Sequence, residues 1–310
     1  MIANSIIKQI TSFMNKMISG TALFSLCLGI MFSPLLVASE IKAPELKQWT
    51  LNGPLTNPPT QISKSLPLSD QTNRGGWVKY APLWDDFNGN SLDTNKWIVG
   101  LDFWNGRPPA WFNPTNVTVQ NGMLCLTMRH EKVPPDMEKL GYTNYTSAAL
   151  RSQIRTSYGY YEVRARPMNS AGSSSFWFTK DKVPNWGTEI DVFELSGKGR
   201  NQPHRYNMTT HVFNTPTVEG HWQVHGEWEA PFRFADDFHI FGLEWGKDQL
   251  RWYVDGVLVR TQENTHWHNP LLLLFDSETM PEWFGMPDNA DLPSTFCVDY
   301  IHVWKTTTAP

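Results

Sequence analysis

Three carboxylates fall within one short, otherwise apolar run, Glu189-Ile190-Asp191-Val192-Phe193-Glu194. In a regular strand side chains alternate, so Glu189 and Asp191 share one face while Glu194 points the other way. A single β-bulge between Asp191 and Glu194 absorbs one residue and returns Glu194 to the acidic face. The two Glu Cα atoms then stand about four strand steps apart, roughly 13 Å at ~3.3 Å per step. Concave curvature and inward-leaning side chains bring the carboxyls to about 5–6 Å, the separation at which one attacks a glycosidic carbon and the other protonates the leaving oxygen. Like charges on one face raise at least one pKa, so one Glu stays protonated near neutral pH as a general acid. Asp191, between them, shares a proton or hydrogen bond with the nucleophile. The other reading of such a run is a solvated edge strand with alternating acids. Context separates the two: Ser173–Phe178 precedes the acids, Trp186 and Gly187 lead into them, and His211-Val212-Phe213 follows on a neighbouring strand.

The rest of the chain must supply a sheet that curves around this run. From Trp77 onward, short alternating segments are separated by turn clusters, and they predict strands at 116–119, 122–128, 159–166, 175–178, 189–195, 207–213, 239–245, 250–254, 271–275 and 296–304. Asn88-Gly89-Asn90, Asn121-Gly122 and Asp255-Gly256 mark turns. Many short strands with almost no helical period indicate an all-β sandwich or barrel with helix limited to a turn or two. Residues 277–294, with Pro281, Trp283, Phe284, Gly285 and Pro287, form a long loop whose aromatics suit a cleft wall; the alternative is a loop folded over the sandwich edge.

The ends and the composition bound the setting. Residues 1–39 hold Lys8 and Lys16, no acid, an apolar run over 20–38, and Val37-Ala38-Ser39 before Glu40. That is the layout of a secretory signal peptide, which Pro34 and the processing site favour over a membrane anchor. Residues 40–75, rich in Pro, Ser, Thr and Asn, read as a leader that lies along the domain or stays mobile, and 76–310 as the catalytic domain. Removing the first 39 residues leaves 24 of the 26 basic residues against 30 acidic ones, so the net charge moves from −4 to −6. An acidic surface is a poor match for nucleic acid, and after processing for anionic membrane. Cys125 and Cys297 lack metal or redox spacing and leave two alternatives open, one disulfide or two buried thiols. The 15 Trp, 17 Phe and 9 Tyr exceed what a core needs and suit stacking on the flat faces of sugars.

The acidic run resembles the bulged ExDxxE signature of glycoside hydrolase family 16. Phe87-Asn88-Gly89-Asn90-Ser91-Leu92-Asp93 through Lys96-Trp97, Tyr158-Gly159-Tyr160-Tyr161-Glu162-Val163-Arg164 and Val298-Asp299-Tyr300-Ile301-His302-Val303-Trp304 are similar to the same family, so the likeness spans about 77–304. It implies a jelly-roll β-sandwich of two curved antiparallel sheets with a concave substrate cleft. It also implies double displacement with Glu189 as nucleophile, Asp191 as its helper and Glu194 as acid/base. Within the family, Trp104-Asn105-Gly106-Arg107-Pro108-Pro109-Ala110, Tyr145–Ala149, Met168–Ala171 and Phe275–Gly285 resemble the enzymes that degrade red-algal galactans. The expected activity is a secreted, monomeric, endo-acting hydrolase of β-1,4 linkages in agarose, with β-porphyranase or a carrageenan-type enzyme as the alternative. No cofactor and no catalytic metal are expected; a structural calcium on the convex face, near Asp86 or Asp299, is a family habit that single carboxylates support weakly.

The substrate-binding candidates are Trp104, Arg107, Trp177, Trp186, His211, Glu278 and Trp283. Trp177 alternates with Phe176 and Phe178, so if the Phe pair faces the core Trp177 forms a sugar platform. Trp186 is expected on the cleft floor. His211 orients a carboxylate or contacts sugar, or is simply structural. Arg107 donates to hydroxyls or a sulfate, or is a surface Arg, and Glu278 contacts hydroxyls or is a solvated loop acid. A non-catalytic carbohydrate-binding sandwich is the rival from another class, but a lectin has little use for three converging carboxyls.

Overall fold

The computed structural model describes residues 42–180, 186–214 and 220–306. The expected signal peptide lies outside the described residues. Among those described, the strands run β1 (Gln48–Thr50), β2 (Trp77–Lys79), β3 (Trp97–Val99), β4 (Ala110–Phe112), β5 (Val117–Gln120), β6 (Met123–His130), β7 (Tyr145–Thr156), β8 (Gly159–Arg166), β9 (Ser173–Thr179), β10 (Gly187–Leu195), β11 (Arg205–Phe213), β12 (His221–Glu229), β13 (His239–Trp245), β14 (Gln249–Val254), β15 (Val257–Glu263), β16 (Leu271–Glu278) and β17 (Ser294–Thr306). Helix is limited to α1 (Pro135–Glu138) and short 3-10 turns.

The strands form two layers. One sheet has the order β3-β7-β16-β9-β10-β11-β12. The other runs β1-β15-β14-β13-β8-β17, with β2 and β6 sharing the far edge of β17 and β5 beyond β6. Pairing is antiparallel except where β4 lies parallel to β7. Two of the expected turns carry the left-handed pair of residues that a tight hairpin needs: Asn121-Gly122 joins β5 to β6, and Asp255-Gly256 joins β14 to β15.

Side-chain alternation decides which face of each strand enters the core. Ile190, Val192 and Phe193 from β10, Phe176 and Phe178 from β9, and Leu271, Leu273 and Phe275 from β16 meet Phe241, Leu243, Val163 and Ile301 of the opposite sheet. Trp97, Trp228, Trp245, Trp252, Trp267 and Trp304 are among the most deeply buried side chains, so the core takes a larger share of the tryptophans than the cleft does. Replacing any one of them by Ala costs about 3–5 kcal/mol.

The strands read from the sequence all form, but three long ones were not read. β12 alternates cleanly between exposed and buried positions as an edge strand. β7 is buried on both sides by small and apolar residues and so shows little alternation. β15 places Arg260 and Gln262 in the interior, where polar residues mimic a surface pattern. The terminal nitrogens of Arg260 donate there to the Met208 carbonyl, the Val224 carbonyl at 3.2 Å and Gln262 Oε1 at 2.7 Å, while its Nε has no partner among the described residues. Cys125 and Cys297 face each other across β6 and β17 as buried free thiols.

The leader lies along the domain. β1 adds to the edge of β15, Trp228 Nε1 donates to the Gly53 carbonyl at 2.9 Å, and Trp304 Nε1 donates to the Ser65 carbonyl at 2.7 Å. Farther on, the Leu68 amide donates to the buried Glu162 carboxyl at 2.7 Å, a group that burial pushes up to about 7.

Candidate active site

β10 runs through the middle of the first sheet between β9 and β11. On its β11 side, Asp191 pairs with Thr209 and Glu194 with Asn207, so three steps on β10 match two on β11. On the β9 side the same extra residue falls between Asp191 and Phe193. This is the bulge expected from the spacing, and it turns Glu189, Asp191 and Glu194 to one face while Ile190, Val192 and Phe193 stay fully buried beneath them. A bulge disturbs the ladder, and other groups hold its backbone in place. Trp267 Nε1 donates to the Glu189 carbonyl at 2.8 Å, Trp252 Nε1 to the Asp191 carbonyl at 3.3 Å, and Asn207 Nδ2 to the Glu194 carbonyl at 3.0 Å. Two of the core tryptophans thus brace the acidic strand from below.

The carboxylates open into a cavity of about 530 Å³. His211, opposite Glu189 on β11, places Nε2 at 2.9 Å from Asp191 Oδ2 and 3.9 Å from Glu189 Oε1, while its Nδ1 lies 2.8 Å from His221 Nε2. Burial and the neighbouring Asp191 push Glu189 up to about 7. Glu194 is driven well above the usual carboxylate range by burial and then by Asp191, Glu278, Glu189 and Asp276. Burial alone would lower His211, but Asp191 and Glu189 raise it. Two carboxyls with separated acidities are what an ionised nucleophile and a protonated acid require. Glu189, Asp191 and His211 also hold three donor atoms within 4.8 Å of one another, a set that could gather a divalent ion. The short contact between Asp191 and His211 makes a hydrogen bond the interaction this geometry displays.

Trp104, Arg107, Trp177, His211, Glu278 and Trp283 line the same cavity as the acidic trio. Trp177 pairs with Asp191 across the ladder and faces the cleft, opposite to Phe176 and Phe178 in the core. Trp104 meets it edge-on at 6.4 Å, and the Arg107 guanidinium lies 5.7 Å from the Trp104 ring. Glu278 is not a solvated loop acid: β16 extends to include it, and it is 4% exposed. Arg107 Nε donates to Glu278 Oε2 at 2.7 Å, which supports the ionised carboxylate even though burial pushes Glu278 up to about 7.

Trp186 is the exception. It is half-buried, precedes the first residue of β10, and is absent from the cavity lining, where Trp177 stands instead. Asp86 and Asp299 belong to separate pairs, with His302 at 2.7 Å and Arg164 at 2.9 Å. Asp276, Ser175, Thr209, Gln223 and His225 were not read from the sequence. Asp276 is buried and sits in the row Glu194–Ser175–Asp276 across three strands, where it helps to keep Glu194 protonated. Its sequence signal was the alternation continuing through Phe275-Asp276-Ser277-Glu278.

Buried carboxyls of unequal acidity, converging on a curved sheet beside aromatic walls, supply what acid-assisted attack at a sugar acetal needs, and they define a glycoside hydrolase. The chain belongs to glycoside hydrolase family 16: residues 77–306 match the family model described as "Beta-porphyranase A-D, GH16 domain". It is 30% identical over 239 residues to Beta-porphyranase E of Zobellia galactanivorans, covering 70% of this chain and 82% of that protein. It is 28% identical over 264 residues to Glucan endo-1,3-beta-glucosidase A1 of Niallia circulans, covering 72% of this chain but spanning only 37% of that longer protein. Among solved structures, porphyranase B of Zobellia galactanivorans superposes with a TM-score of 0.64 at 24% identity, covering 74% of this chain and 92% of that one, and shares the jelly-roll fold.

Proposed function

We propose that the chain is an endo-acting, retaining hydrolase of β-1,4 linkages in a red-algal galactan. The observation that carries this reading is the bulged β10, which sets Glu189 and Glu194 on one face with the Asp191–His211 pair between them. Ionised Glu189 attacks the anomeric carbon while protonated Glu194 gives its proton to the leaving oxygen. Glu194 then takes a proton from water, which displaces Glu189 and restores the β configuration. Asp191, hydrogen-bonded to His211, keeps the nucleophile placed between turnovers. An open cleft admits the interior of a polymer, and the basic-then-apolar stretch at 1–39 supports action outside the cell.

For the polymer, membership in the porphyranase A–D group shifts the preference from agarose to porphyran. Arg107 supports this shift, because Glu278 holds its Nε and leaves the two terminal nitrogens without a partner among the described residues, facing the cavity. Agarose is the second reading, favoured by the carboxylates that share the cavity with this guanidinium: Glu189, Asp191, Glu194, Glu278 and Glu282. Incubating the protein with porphyran, agarose and κ-carrageenan and assaying reducing ends tests the reading. Proton NMR of the first-formed product should show the β anomer. Release of the α anomer would refute the retaining mechanism.

A further inference from the structure

The cleft does not end at the edge of its own sheet. Gln223 lies in the row Glu189–His211–Gln223, two strand spacings or roughly 10 Å from the nucleophile. Gln223 and His225 line the main cavity and also a second one, of about 510 Å³, whose opposite wall is the leader: Ala43, Pro44, Glu45, Leu46 and Gln48. β12 is the last strand of the concave sheet, so the leader closes the site where the sheet stops. That wall is anchored. The Lys47 amide donates to Glu263 Oε2 at 3.3 Å, the Glu263 amide donates to the Lys47 carbonyl at 2.8 Å, and β1 continues the attachment along β15. Leu46 packs on the core. The exposed Gln223 side-chain amide has no partner among the described residues and stands between the two cavities.

We infer that leader residues Ala43, Pro44, Glu45, Leu46 and Gln48, with Gln223 and His225, build a distal subsite for an unsulfated sugar unit remote from the bond being cleaved. The inference rests on the galactan-hydrolase reading above. The lining gives the chemistry. An amide and an imidazole offer hydrogen bonds to hydroxyls, the described residues lining this cavity include no Lys or Arg, Lys47 lying outside the lining, and Glu45 repels a sulfate. The main cavity differs in holding Arg107.

The test uses size-graded oligosaccharides from porphyran, agarose and κ-carrageenan with the full chain, Pro44→Trp, which fills the second cavity, and Gln223→Ala, which removes the amide without adding bulk. On the series that the wild type cleaves, the ratio of kcat/KM for long over short oligosaccharides should fall about tenfold in Pro44→Trp and several-fold in Gln223→Ala, a tenfold change being about 1.4 kcal/mol. Gln223→Ala serves should Pro44→Trp not fold. A long-to-short ratio equal to wild type in a folded variant overturns the distal subsite and leaves the galactan reading intact. A wild type that cleaves no series overturns both.

Discussion

His211 Nε2 lies 2.9 Å from Asp191 Oδ2, and the same ring reaches toward Glu189 at 3.9 Å and toward His221 at 2.8 Å through its other nitrogen. With carboxylate oxygens as acceptors, Nε2 carries a proton, and protonating the whole ring adds a cation between two carboxylates. His211 therefore has a raised folded pKa. The stability it contributes is fully present below its unfolded value of about 6.5 and is lost as pH rises through the folded value. His211→Gln should lower Tm at pH 5.5 and have a smaller effect at pH 9. Thermal melts of both proteins across this range check the sign; an equal Tm loss at both pH values would remove the charged His211–Asp191 pair from the account.

The pH–rate profile should be bell-shaped. With Glu189 as the proposed nucleophile, kcat/KM should rise with pH through about 7, where burial and Asp191 place that carboxyl. With Glu194 as the proposed acid, held higher by burial and then by the surrounding carboxyls, the fall should come on the alkaline side. Asp276→Asn removes one of these charges and should move the alkaline limb to lower pH with the acid limb little changed. An unmoved alkaline limb in a folded variant argues against this coupling.

Glu189→Gln should fold and bind polymer but lose roughly 10⁴-fold or more in kcat, as when a covalent nucleophile is removed. Retention on an affinity gel of the cleaved polymer, together with reducing-end assays, separates binding from turnover. Near-normal hydrolysis would return the nucleophile's role to another carboxylate.

Glu194→Ala should be slow and should recover with azide, because a small anion completes the second displacement without a general base. The product should be a β-glycosyl azide. Formation of the α-azide would reverse the roles of the two Glu residues or indicate an inverting enzyme.

Arg107→Ala separates the two polymers. If its terminal nitrogens hold a sulfate, the loss appears on porphyran and shrinks as ionic strength rises. On agarose, where they would meet neutral hydroxyls, the loss is about 0.5–3 kcal/mol with little salt dependence. Kinetics of both proteins on both polymers at low and high salt read the difference; a salt-insensitive loss on porphyran would favour agarose. Because Arg107 also satisfies the buried Glu278, Arg107→Lys is the control that retains a cation while losing the fork.

The bulged acidic strand was legible from the chain alone because strand parity is a local property. Three acids among three apolar residues can share one face only with a bulge, and the apolar residues left over must then face the core. Phe176 and Phe178 against Trp177 followed from the same rule. Alternation also placed the other strands that it reached. Local contrast was weak in the doubly buried β7 and the polar interior of β15, whereas β12 alternates cleanly and was missed all the same.

Everything that depends on strand order was decided by the tertiary structure. Glu278 reads as a loop acid until β16 is seen to pair with β9, which brings it next to Arg107, far away in sequence. Asp276 reaches Glu194 only through Ser175 on the strand between them, and Trp186, just outside β10, does not line the cleft despite its nearness to Glu189 in sequence. The leader becomes a wall only because β1 finds the edge of β15 beside β12. Periodicity tells each residue which way it points; which distant residues then meet is set by burying two apolar faces against each other, and no local pattern encodes that.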